Sequence, residues 1–323
     1  MRVVITGAAG FLGRKLTSAL LAGGELTELG AVETLVLFDA VAPDAPASAD
    51  IDVVSETGDI TDSARLASVV AGADVVFHLA AVVSSAAEED FELGMRVNFD
   101  GTRALLEACR AHASAGVRFV FASSVAVFGG ELPAVIRDDT AVTPQSSYGT
   151  EKAMAELLVN DYSRRGFVDG RVIRLPTIVV RPGRPNKAAS SFASSIIREP
   201  LQQETALCPV PHDTRLFVLS PRRVIESLQH AAVIEAAWFG ASRTVMLPGI
   251  TVSVSEMIDA LGRAAGEAAV GRISDEPDPG VEAIVTSWPA RFETTKGDRL
   301  GFQWDRDIDA IIEAFVEDDL AGR

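Results

Sequence analysis

A chain of 323 residues, of which 48% are hydrophobic and 23% are charged, has the composition of a globular protein that can form one α/β unit with a second, smaller lobe. The formal net charge of −16 argues against a nucleic-acid partner, because binding to a phosphate backbone depends on clustered lysine and arginine side chains. We find neither a signal-peptide pattern at the start of the chain nor a run near the roughly 18 apolar residues needed to cross a bilayer, so we expect no membrane contact and a cytoplasmic location.

The first half of the chain alternates short β-branched runs with longer segments of helical period. This pattern predicts βαβ units and a parallel sheet that is buried on both faces, which is a Rossmann-type, doubly wound α/β fold. In such a fold, ligands bind beyond the carboxyl ends of the strands. The predicted strands are 3–6, 34–38, 52–55, 75–79, 118–122 and 171–175, and the predicted helices are 13–21, 63–70, 91–112 and 147–164.

The sequence pattern changes after residue 175, where several prolines occur in a stretch without clear hydrophobic periodicity. We interpret this stretch as the start of a smaller, substrate-binding lobe. A strand at 215–219 and a helix at 221–239 are expected to return to the main sheet. The predicted division therefore interleaves a Rossmann domain, 1–175 with 215–242, and a smaller α/β lobe, 176–214 with 243–323.

A glycine-rich loop directly follows the first predicted strand. Gly7, Gly10 and Gly13 form a GxxGxxG pattern that leads into a helix. Without side chains, such a loop lets a pyrophosphate approach the backbone N–H groups of the helix N-terminus, although glycine turns also occur for packing reasons. Asp39 ends the second strand, where a carboxylate can accept hydrogen bonds from ribose hydroxyls and repels a 2′-phosphate, so NAD is favoured over NADP. The NAD-binding residues predicted here are Gly7, Ala9, Gly10, Phe11, Leu12, Gly13 and Asp39, with Asp59 and Ile60 flanking the adenine.

Tyr148 and Lys152 are predicted to form a catalytic pair. Their spacing places the phenol and the ammonium on one face of a helix, although an ordinary amphipathic helix can have the same spacing. An unperturbed tyrosine, with a pKa of about 10, is a poor base, but a lysine charge and a positive nicotinamide favour the phenolate. Tyr148 is therefore expected to take a hydroxyl proton as general base while a hydride moves to the nicotinamide. Ser123 and Ser124, at the end of the fifth strand, could bind the reacting oxygen.

These motifs resemble the extended short-chain dehydrogenase/reductase family, which includes nucleotide-sugar epimerases and dehydratases. The resemblance covers the whole chain and is carried by residues 6–13, 78–81, 97–98, 123–129 and 148–152. One departure is Phe128, where the family usually has tyrosine. The resemblance implies a homodimer that associates through the two helices predicted at 91–112 and 147–164.

The resemblance also implies roles for individual residues. Ser124, rather than Ser123, is the catalytic serine by its distance from Gly129, and Asn98 supports the active-site loop. The remaining cofactor contacts that the resemblance implies are Leu79, Ala80, Ala81, Asn98, Ser123, Tyr148, Lys152, Pro176 and Ile178.

The substrate is expected to be a small anion. Between residues 170 and 198 there are six basic residues and no acidic one, and an arginine in a pocket offers a bidentate grip on carboxylate or phosphate. The segment 181–201 resembles members of the family that oxidise the 2-hydroxyl of a small sugar acid. The substrate-binding residues predicted on this basis are Ser124, Arg181, Arg184, Asn186 and Arg215, with Arg215 or Arg184 holding the carboxylate.

Two alternatives remain open. A nucleotide-sugar epimerase or dehydratase uses the same three catalytic side chains, although the aromatic content of 6% argues mildly against a pocket for a nucleotide base. A non-catalytic dinucleotide-binding sensor has no need of Tyr148, Lys152 and Ser124 together.

No metal site is predicted. Cys109 and Cys208 lie far apart in the sequence, and the four histidines form no i,i+4 pair of the kind that binds zinc on a helix.

Overall fold

The structure is a computed structural model that describes residues 1–23, 25–183 and 189–321. The chain divides into two units, each with its own hydrophobic core. The first unit comprises Met1–Val127, Pro144–Arg174 and Ile225–Met246, and the second comprises Phe128–Thr143, Leu175–Val224 and Leu247–Arg323.

The described residues contain twelve strands. In chain order they are β1 (Arg2–Thr6), β2 (Thr34–Asp39), β3 (Asp52–Thr57), β4 (Val75–His78), β5 (Arg118–Ser124), β6 (Asp169–Leu175), β7 (Thr177–Ile178), β8 (Ala206–Cys208), β9 (Arg215–Leu219), β10 (Thr244–Met246), β11 (Ile250–Ser253) and β12 (Ile273–Asp275).

The same residues contain fourteen α-helices, 3₁₀ turns at Glu25–Leu29 and Val125–Val127, and π-helical segments at Met95–Asp100 and Val316–Leu320. The α-helices are α1 (Phe11–Leu21), α2 (Ser63–Val69), α3 (Ser84–Glu89), α4 (Phe91–Gly94), α5 (Gly101–His112), α6 (Ser147–Arg164), α7 (Ser191–Leu201), α8 (Pro221–Val233), α9 (Ala236–Phe239), α10 (Val254–Ala265), α11 (Glu267–Val270), α12 (Pro279–Thr286), α13 (Thr295–Arg299) and α14 (Ile308–Phe315).

The main sheet of the first unit is parallel and has the strand order β10-β6-β5-β4-β1-β2-β3. Val3, Val4 and Ile5 of β1 are fully buried, because helices cover both faces of such a sheet. The strand order reverses between β1 and β4, which pair in parallel. Doubly wound sheets bind ligands at this reversal, beyond the carboxyl ends of the strands. The predicted Rossmann-type α/β fold is confirmed.

The prediction that the strand at 215–219 returns to the main sheet is wrong. This strand is β9, which pairs with β7 and β11 in a three-stranded sheet of the second unit. The main sheet instead gains β10, in a segment that the sequence assigned to the smaller lobe. A Cβ on Gly249 would lie 2.7 Å from the Val218 carbonyl oxygen, so this glycine lets the chain before β11 run closely against β9. A short apolar run predicts a strand but not the sheet that it joins.

Two predicted helices are interrupted. The helix predicted at 91–112 consists of α4, the π-helical segment Met95–Asp100 and α5, and the helix predicted at 221–239 consists of α8 and α9. In the last turn of α8 and just after it, the carbonyl oxygens of Ala232 and Ile234 accept hydrogen bonds from the side chains of Arg118 and Arg171, respectively. These contacts satisfy backbone groups that the interruption would otherwise leave unpaired.

The second unit is built around α7, α10 and α14. Its core includes Phe192 on α7, Met257 on α10 and Ile311 on α14, together with Leu216 of β9. A separate two-stranded sheet joins β8 to β12. None of the helices in the described part of the chain is long and apolar enough to span a bilayer.

His78 is a buried histidine at the end of β4. Its Nδ1 lies 2.7 Å from Thr6 Oγ1, and its Nε2 lies 2.9 Å from Thr102 Oγ1. The Thr102 hydroxyl donates its proton to the Asn98 carbonyl oxygen, so it can only accept a hydrogen bond from His78. Nε2 of His78 therefore carries the proton, and Nδ1 accepts a hydrogen bond from the Thr6 hydroxyl. Burial, with a smaller contribution from the charge of Lys152, lowers the pKa of His78 to about 3.

We expect the free energy of unfolding to fall as the pH is lowered from 6.5 toward 3, because the unfolded chain then binds a proton on this imidazole that the folded chain excludes. His78→Asn should remove this contribution, which is at most about 1.4 kcal/mol per pH unit. Urea titrations at pH 7 and pH 5 measure the difference. His112→Gln, at an exposed position of α5, is the control. Equal pH dependence in His78→Asn and wild type would contradict a buried neutral imidazole.

Candidate active site

The glycine-rich loop connects β1 to α1 with little space around its backbone. Gly7 has a φ of +74°, in the left-handed region, and a Cβ on it would lie 2.5 Å from the backbone nitrogen of Ala80. A Cβ on Gly13 would lie 2.3 Å from the Gly7 carbonyl oxygen. Gly10 precedes α1, and no side chain caps this helix end. The loop therefore leaves the N–H groups of the first turn accessible to an anion.

A cleft of about 860 Å³ opens at the carboxyl ends of β1, β2 and β4. Its size, its glycine backbone and its small apolar side chains fit a dinucleotide. Among the predicted cofactor residues, Gly13 is buried, and Phe11 and Leu12 are partly buried in the first turn of α1. The predicted residues that line the cleft are Gly7, Ala9, Gly10, Asp39, Asp59, Ile60, Leu79, Ala80 and Ala81.

Asp39 is held at the mouth of this cleft by two backbone donors. Its Oδ2 accepts a hydrogen bond from Ala9 N at 3.0 Å, and its Oδ1 accepts one from Val41 N at 3.1 Å. The carboxylate is thus tied to the glycine-rich loop and oriented before a ligand arrives. This geometry suits hydrogen bonds from a ribose diol and opposes a phosphate at the same place.

Two arginines that the sequence analysis did not single out also line the cleft. They are Arg14, whose guanidinium donates to the Ala9 carbonyl oxygen, and Arg96. Arg14 follows the glycine-rich loop directly, so its position one turn into α1 could have indicated it. Arg96 comes from the π-helical segment, whose approach to the cleft depends on long-range packing. Both supply positive charge for a pyrophosphate.

Asp59 and Ile60 occupy the turn after β3. The carboxylate of Asp59 accepts hydrogen bonds from the backbone and the side chain of Thr61, both at 2.8 Å, and these bonds lower its pKa. Ile60 is buried against α5, where a Cβ on Gly101 would lie 2.6 Å from its Cγ2. Ile60 therefore contributes to the core as well as to the wall of the cleft.

Asn98 holds the loop that follows β4. Its Oδ1 accepts a hydrogen bond from Val82 N at 2.8 Å, and its Nδ2 donates to the Val82 carbonyl oxygen at 3.0 Å. The same Nδ2 donates to Glu151 Oε2 at 2.6 Å. Asn98 is buried, and Val82 lines the cofactor cleft. The amide therefore connects the edge of the cleft to α6.

The structure brings Tyr148, Lys152 and Ser124 together where β5 ends against α6. The Tyr148 and Ser124 side chains lie close enough for the serine hydroxyl to favour the ionised phenol. Lys152 Nζ donates to the Ala122 carbonyl oxygen at 2.9 Å and lies 5.6 Å from the Tyr148 ring centroid. A Cβ on Gly149 would lie only 2.1 Å from a carbonyl oxygen of the turn after β5, so this glycine allows the close approach.

Burial dominates the proton affinities of this cluster. It raises the pKa of Tyr148 to about 12; an ionised Glu151 adds to the rise, and the interaction with Ser124 opposes it. Burial also lowers the pKa of Lys152 to about 8 against the charges of Glu151 and Glu156. In the protein without ligand, the phenol therefore keeps its proton at neutral pH. The expected lowering by the charge of Lys152 does not contribute to this shift, which desolvation dominates.

Glu156 joins three elements beneath this cluster, and the sequence analysis did not identify it. Its carboxylate accepts hydrogen bonds from Ser123 Oγ at 2.5 Å and from Arg174 Nε and Nη2 at 2.9 and 2.6 Å. All three side chains are buried. The spacing of Glu156 from Lys152 by one helical turn was a usable signal, since it places both on one face. Ser123, predicted as a cofactor contact, uses its hydroxyl in this network.

The remaining predicted residues lie in the second unit or outside the described residues. Pro176 is buried after β6, and Ile178 pairs with Leu219 across β7 and β9. Arg181 donates to Ser190 Oγ at 3.0 Å, and burial, followed by the charge of Arg198, lowers its pKa. Arg215 begins β9 and is exposed. The other two predicted substrate residues, Arg184 and Asn186, fall outside the described residues.

One cluster in the second unit bears on the prediction that no metal is bound. Potential ligand atoms of Cys208, His212 and Asp275 lie within 4.8 Å of one another. His212 and Asp275 are exposed and hydrogen-bonded to each other at 2.8 Å. The Cys208 thiol is buried, and burial raises its pKa, which opposes the thiolate that zinc requires. The prediction of no metal stays a prediction.

Comparison with known proteins agrees with this geometry. Residues 3–215 match the NAD dependent epimerase/dehydratase family. The chain is 52% identical over 322 residues to a D-erythronate dehydrogenase of Cupriavidus necator, with 98% of each chain covered. It is 47% identical over 321 residues to a D-erythronate dehydrogenase of Haemophilus influenzae, covering 99% of this chain and 100% of that one. The crystal structure of a nucleoside-diphosphate-sugar epimerase from Agrobacterium tumefaciens is 43% identical, with a TM-score of 0.93 over 100% of this chain and 95% of that chain.

The position of Asp39 yields a test of cofactor choice. Asp39→Asn keeps acceptor capacity for Ala9 N but removes the charge, so we expect weaker NADH binding, by about tenfold, and a smaller preference for NADH over NADPH. Fluorescence titration with both nucleotides measures the two dissociation constants. Asp50→Asn, on the exposed loop between β2 and β3, is the matched control. Unchanged preference in Asp39→Asn would exclude a role for this carboxylate in recognising the ribose.

Proposed function

Because this chain belongs to the NAD-dependent epimerase/dehydratase family, we propose that it oxidises the 2-hydroxyl of D-erythronate to 2-dehydro-D-erythronate with NAD as the acceptor. The observation that carries the proposal is the assembly of Tyr148, Ser124 and Lys152 at the end of β5. These are the groups needed to move a proton from an alcohol. The two D-erythronate dehydrogenases match the chain over nearly its full length, which supports the choice of substrate.

The first unit is proposed to bind the cofactor. The glycine-rich loop and the first turn of α1 would hold the pyrophosphate, and Asp39 the adenosine ribose. Asp59 and Ile60 would flank the adenine, and the segment from Leu79 to Ala81 would border the cofactor. Bound NAD supplies the hydride acceptor for C2 of the substrate and a positive charge that favours the tyrosine phenolate.

The proton is proposed to leave the substrate through Tyr148. Its proximity to Ser124 would let both hydroxyls contact one substrate oxygen. Ser124 would orient the 2-hydroxyl, and Tyr148 would take its proton as the C2–H bond breaks. Lys152, fixed by the Ala122 carbonyl oxygen, lies beside the phenol and stabilises its negative charge while it keeps its own proton.

The second unit is proposed to supply substrate contacts. Arg215 has an exposed guanidinium, and Arg181 lies close enough to Arg198 for their charges to repel. Arginines in such surroundings favour an anion such as a carboxylate. Arg215 is proposed to hold the substrate carboxylate, and Pro176 and Ile178 to lie near the nicotinamide. We further propose a cytoplasmic homodimer that associates through the helical stretch ending in α5 and through α6, where Leu157 is 69% exposed.

A nucleotide-sugar epimerase remains the second candidate because of the structure from Agrobacterium tumefaciens. The identity to that protein, 43%, is lower than the 52% and 47% identity to the two dehydrogenases. A sensor without catalysis is disfavoured, because such a protein has no use for a tyrosine and a serine assembled beside a buried lysine.

The activity can be measured as NADH absorbance after mixing the protein with NAD and, separately, D-erythronate, L-threonate, D-threonate or UDP-sugars. We expect NADH formation with D-erythronate. Tyr148→Phe should retain NADH binding and lose at least about a hundredfold in turnover, because it lacks the group that takes the proton. Interconversion of a UDP-sugar without net NADH would support the epimerase, and nucleotide binding without any turnover would support the sensor.

Arg215→Ala tests how the substrate carboxylate is held. Loss of a charged hydrogen-bond donor should raise KM for D-erythronate by about tenfold or more and change kcat less. Arg272→Ala, on the surface of the same unit, is the control for a general change of charge. Identical KM values in wild type and Arg215→Ala would assign the carboxylate to another residue.

A further inference from the structure

Glu151 is a buried acidic residue that the proposed reaction does not use. It lies on α6 next to Lys152 and has a relative exposure of 0%. Its Oε2 accepts the hydrogen bond from Asn98 Nδ2 at 2.6 Å. Its Oε1 is buried and has no hydrogen-bond partner within the described part of the chain. A buried carboxylate oxygen without a partner is costly, so its presence calls for a physical reason.

The Glu151 carboxyl group occupies a space that exists because residue 94 is a glycine. A Cβ on Gly94 would lie 2.3 Å from Glu151 Oε1 and 3.0 Å from the Ala87 side chain. The absence of a side chain at the end of α4 therefore makes the space that the carboxyl group occupies. The space is closed by packing, since Gly94 and Ala87 are themselves buried.

Burial of Glu151 disfavours its ionised form. Desolvation is the largest cause that raises its pKa, and the charge of Glu88 on α3 acts in the same direction. The hydrogen bond from Asn98 and the charge of Lys152 oppose this rise but do not cancel it. Tyr148 is the other titratable group on α6 that interacts with Glu151. On the π-helical segment, the direct partner is the neutral amide of Asn98.

We propose that Glu151 is a positioning residue that acts with its carboxyl group protonated, and that it ties the catalytic helix α6 through Asn98 to the Val82 edge of the cofactor cleft. Asn98 is bonded to both the N–H and the carbonyl oxygen of Val82, so its position fixes that backbone. Glu151 restrains the same amide from the opposite side. A proton on Oε1 reduces the cost of leaving this oxygen unpaired, because a neutral carboxyl group is less strongly hydrated than a carboxylate.

Neutral Glu151 also benefits the proposed proton transfer. The charge of an ionised Glu151 would raise the pKa of Tyr148 further and so oppose loss of the phenolic proton. A protonated carboxyl group preserves the hydrogen bond to Asn98 without that repulsion. The side chain can therefore hold the helix and the cleft together at little electrostatic cost to the tyrosine.

Glu151→Gln and Glu151→Ala separate the two parts of this inference. Glutamine reproduces the neutral form, since its carbonyl oxygen can accept from Asn98, whereas alanine removes the restraint. We expect Glu151→Gln to bind NADH within about twofold of wild type, and Glu151→Ala to bind it about fivefold more weakly, as for the loss of one buried hydrogen bond. Thr150→Ala, the exposed neighbour on α6, is the matched control.

The protonation state has its own readout. The infrared spectrum of the wild-type protein at pH 7 should contain a carbonyl stretching band of a protonated carboxyl group that is missing in Glu151→Gln. Absence of that difference would show that Glu151 is ionised at pH 7 and would overturn the proposal. A Glu151→Gln variant that binds NADH as poorly as Glu151→Ala would show that the ionised form is needed, which would overturn it as well. Equal NADH binding by Glu151→Ala and wild type would overturn the positioning role.

The expected effect of Glu151 on kcat/KM rests on the proposed dehydrogenase activity. The NADH-binding and infrared measurements do not depend on that activity. With D-erythronate, Glu151→Gln should keep the wild-type pH profile of kcat/KM, whereas a variant that lost a required charge would shift it. If the wild-type protein forms no NADH with any sugar acid, the proposed function fails, and NADH binding and the infrared band still decide the role of Glu151.

Discussion

Glu156 accepts hydrogen bonds from Ser123 at the end of β5 and from Arg174 on β6, while its own helix carries Tyr148 and Lys152. A carboxylate buried this deeply is tolerated only when its oxygens are paired, and removing one partner of a buried ion pair typically costs about 3–5 kcal/mol. Because Ser123 immediately precedes Ser124, the contact that satisfies Glu156 also fixes Ser124, the proposed catalytic serine, relative to the helix of the tyrosine. Glu156 thus couples the stability of the first unit to the geometry of its reacting groups.

The same burial that fixes the site also controls its protons. Desolvation raises the pKa of Tyr148 and lowers that of Lys152, so both groups favour their neutral forms more than they would in water. A tyrosine in this state is a poor base until positive charge approaches it. In the proposed reaction that charge comes with the oxidised cofactor. Proton release from Tyr148 and NAD binding are then thermodynamically linked, and each favours the other.

Sequence reasoning reached the fold and proposed the main site from local patterns. The strands of the main sheet are short apolar runs, and the glycine-rich loop and the Tyr148–Lys152 pair are defined by spacing within one turn or one helix. Helical spacing places Glu156 on the same face as Lys152, but the burial and the partners of Glu151 and Glu156 were not accessible in this way, because a helical period does not show which acidic residue is buried. Their partners lie 53 and 18 residues away, at Asn98 and Arg174. The sheet that β9 joins depends equally on distant contacts.

The hydrogen bonds around His78 have a further consequence for how this protein can change. Thr6, His78, Thr102 and the Asn98 carbonyl oxygen form a continuous series of buried donors and acceptors that runs from β1 to the π-helical segment. Each member satisfies the next, so replacing one alone leaves a neighbour unpaired in the core. Exchange of Thr6, His78 or Thr102 alone therefore costs stability that exchange at an exposed position does not. In evolutionary terms, these three side chains would therefore be expected to vary together.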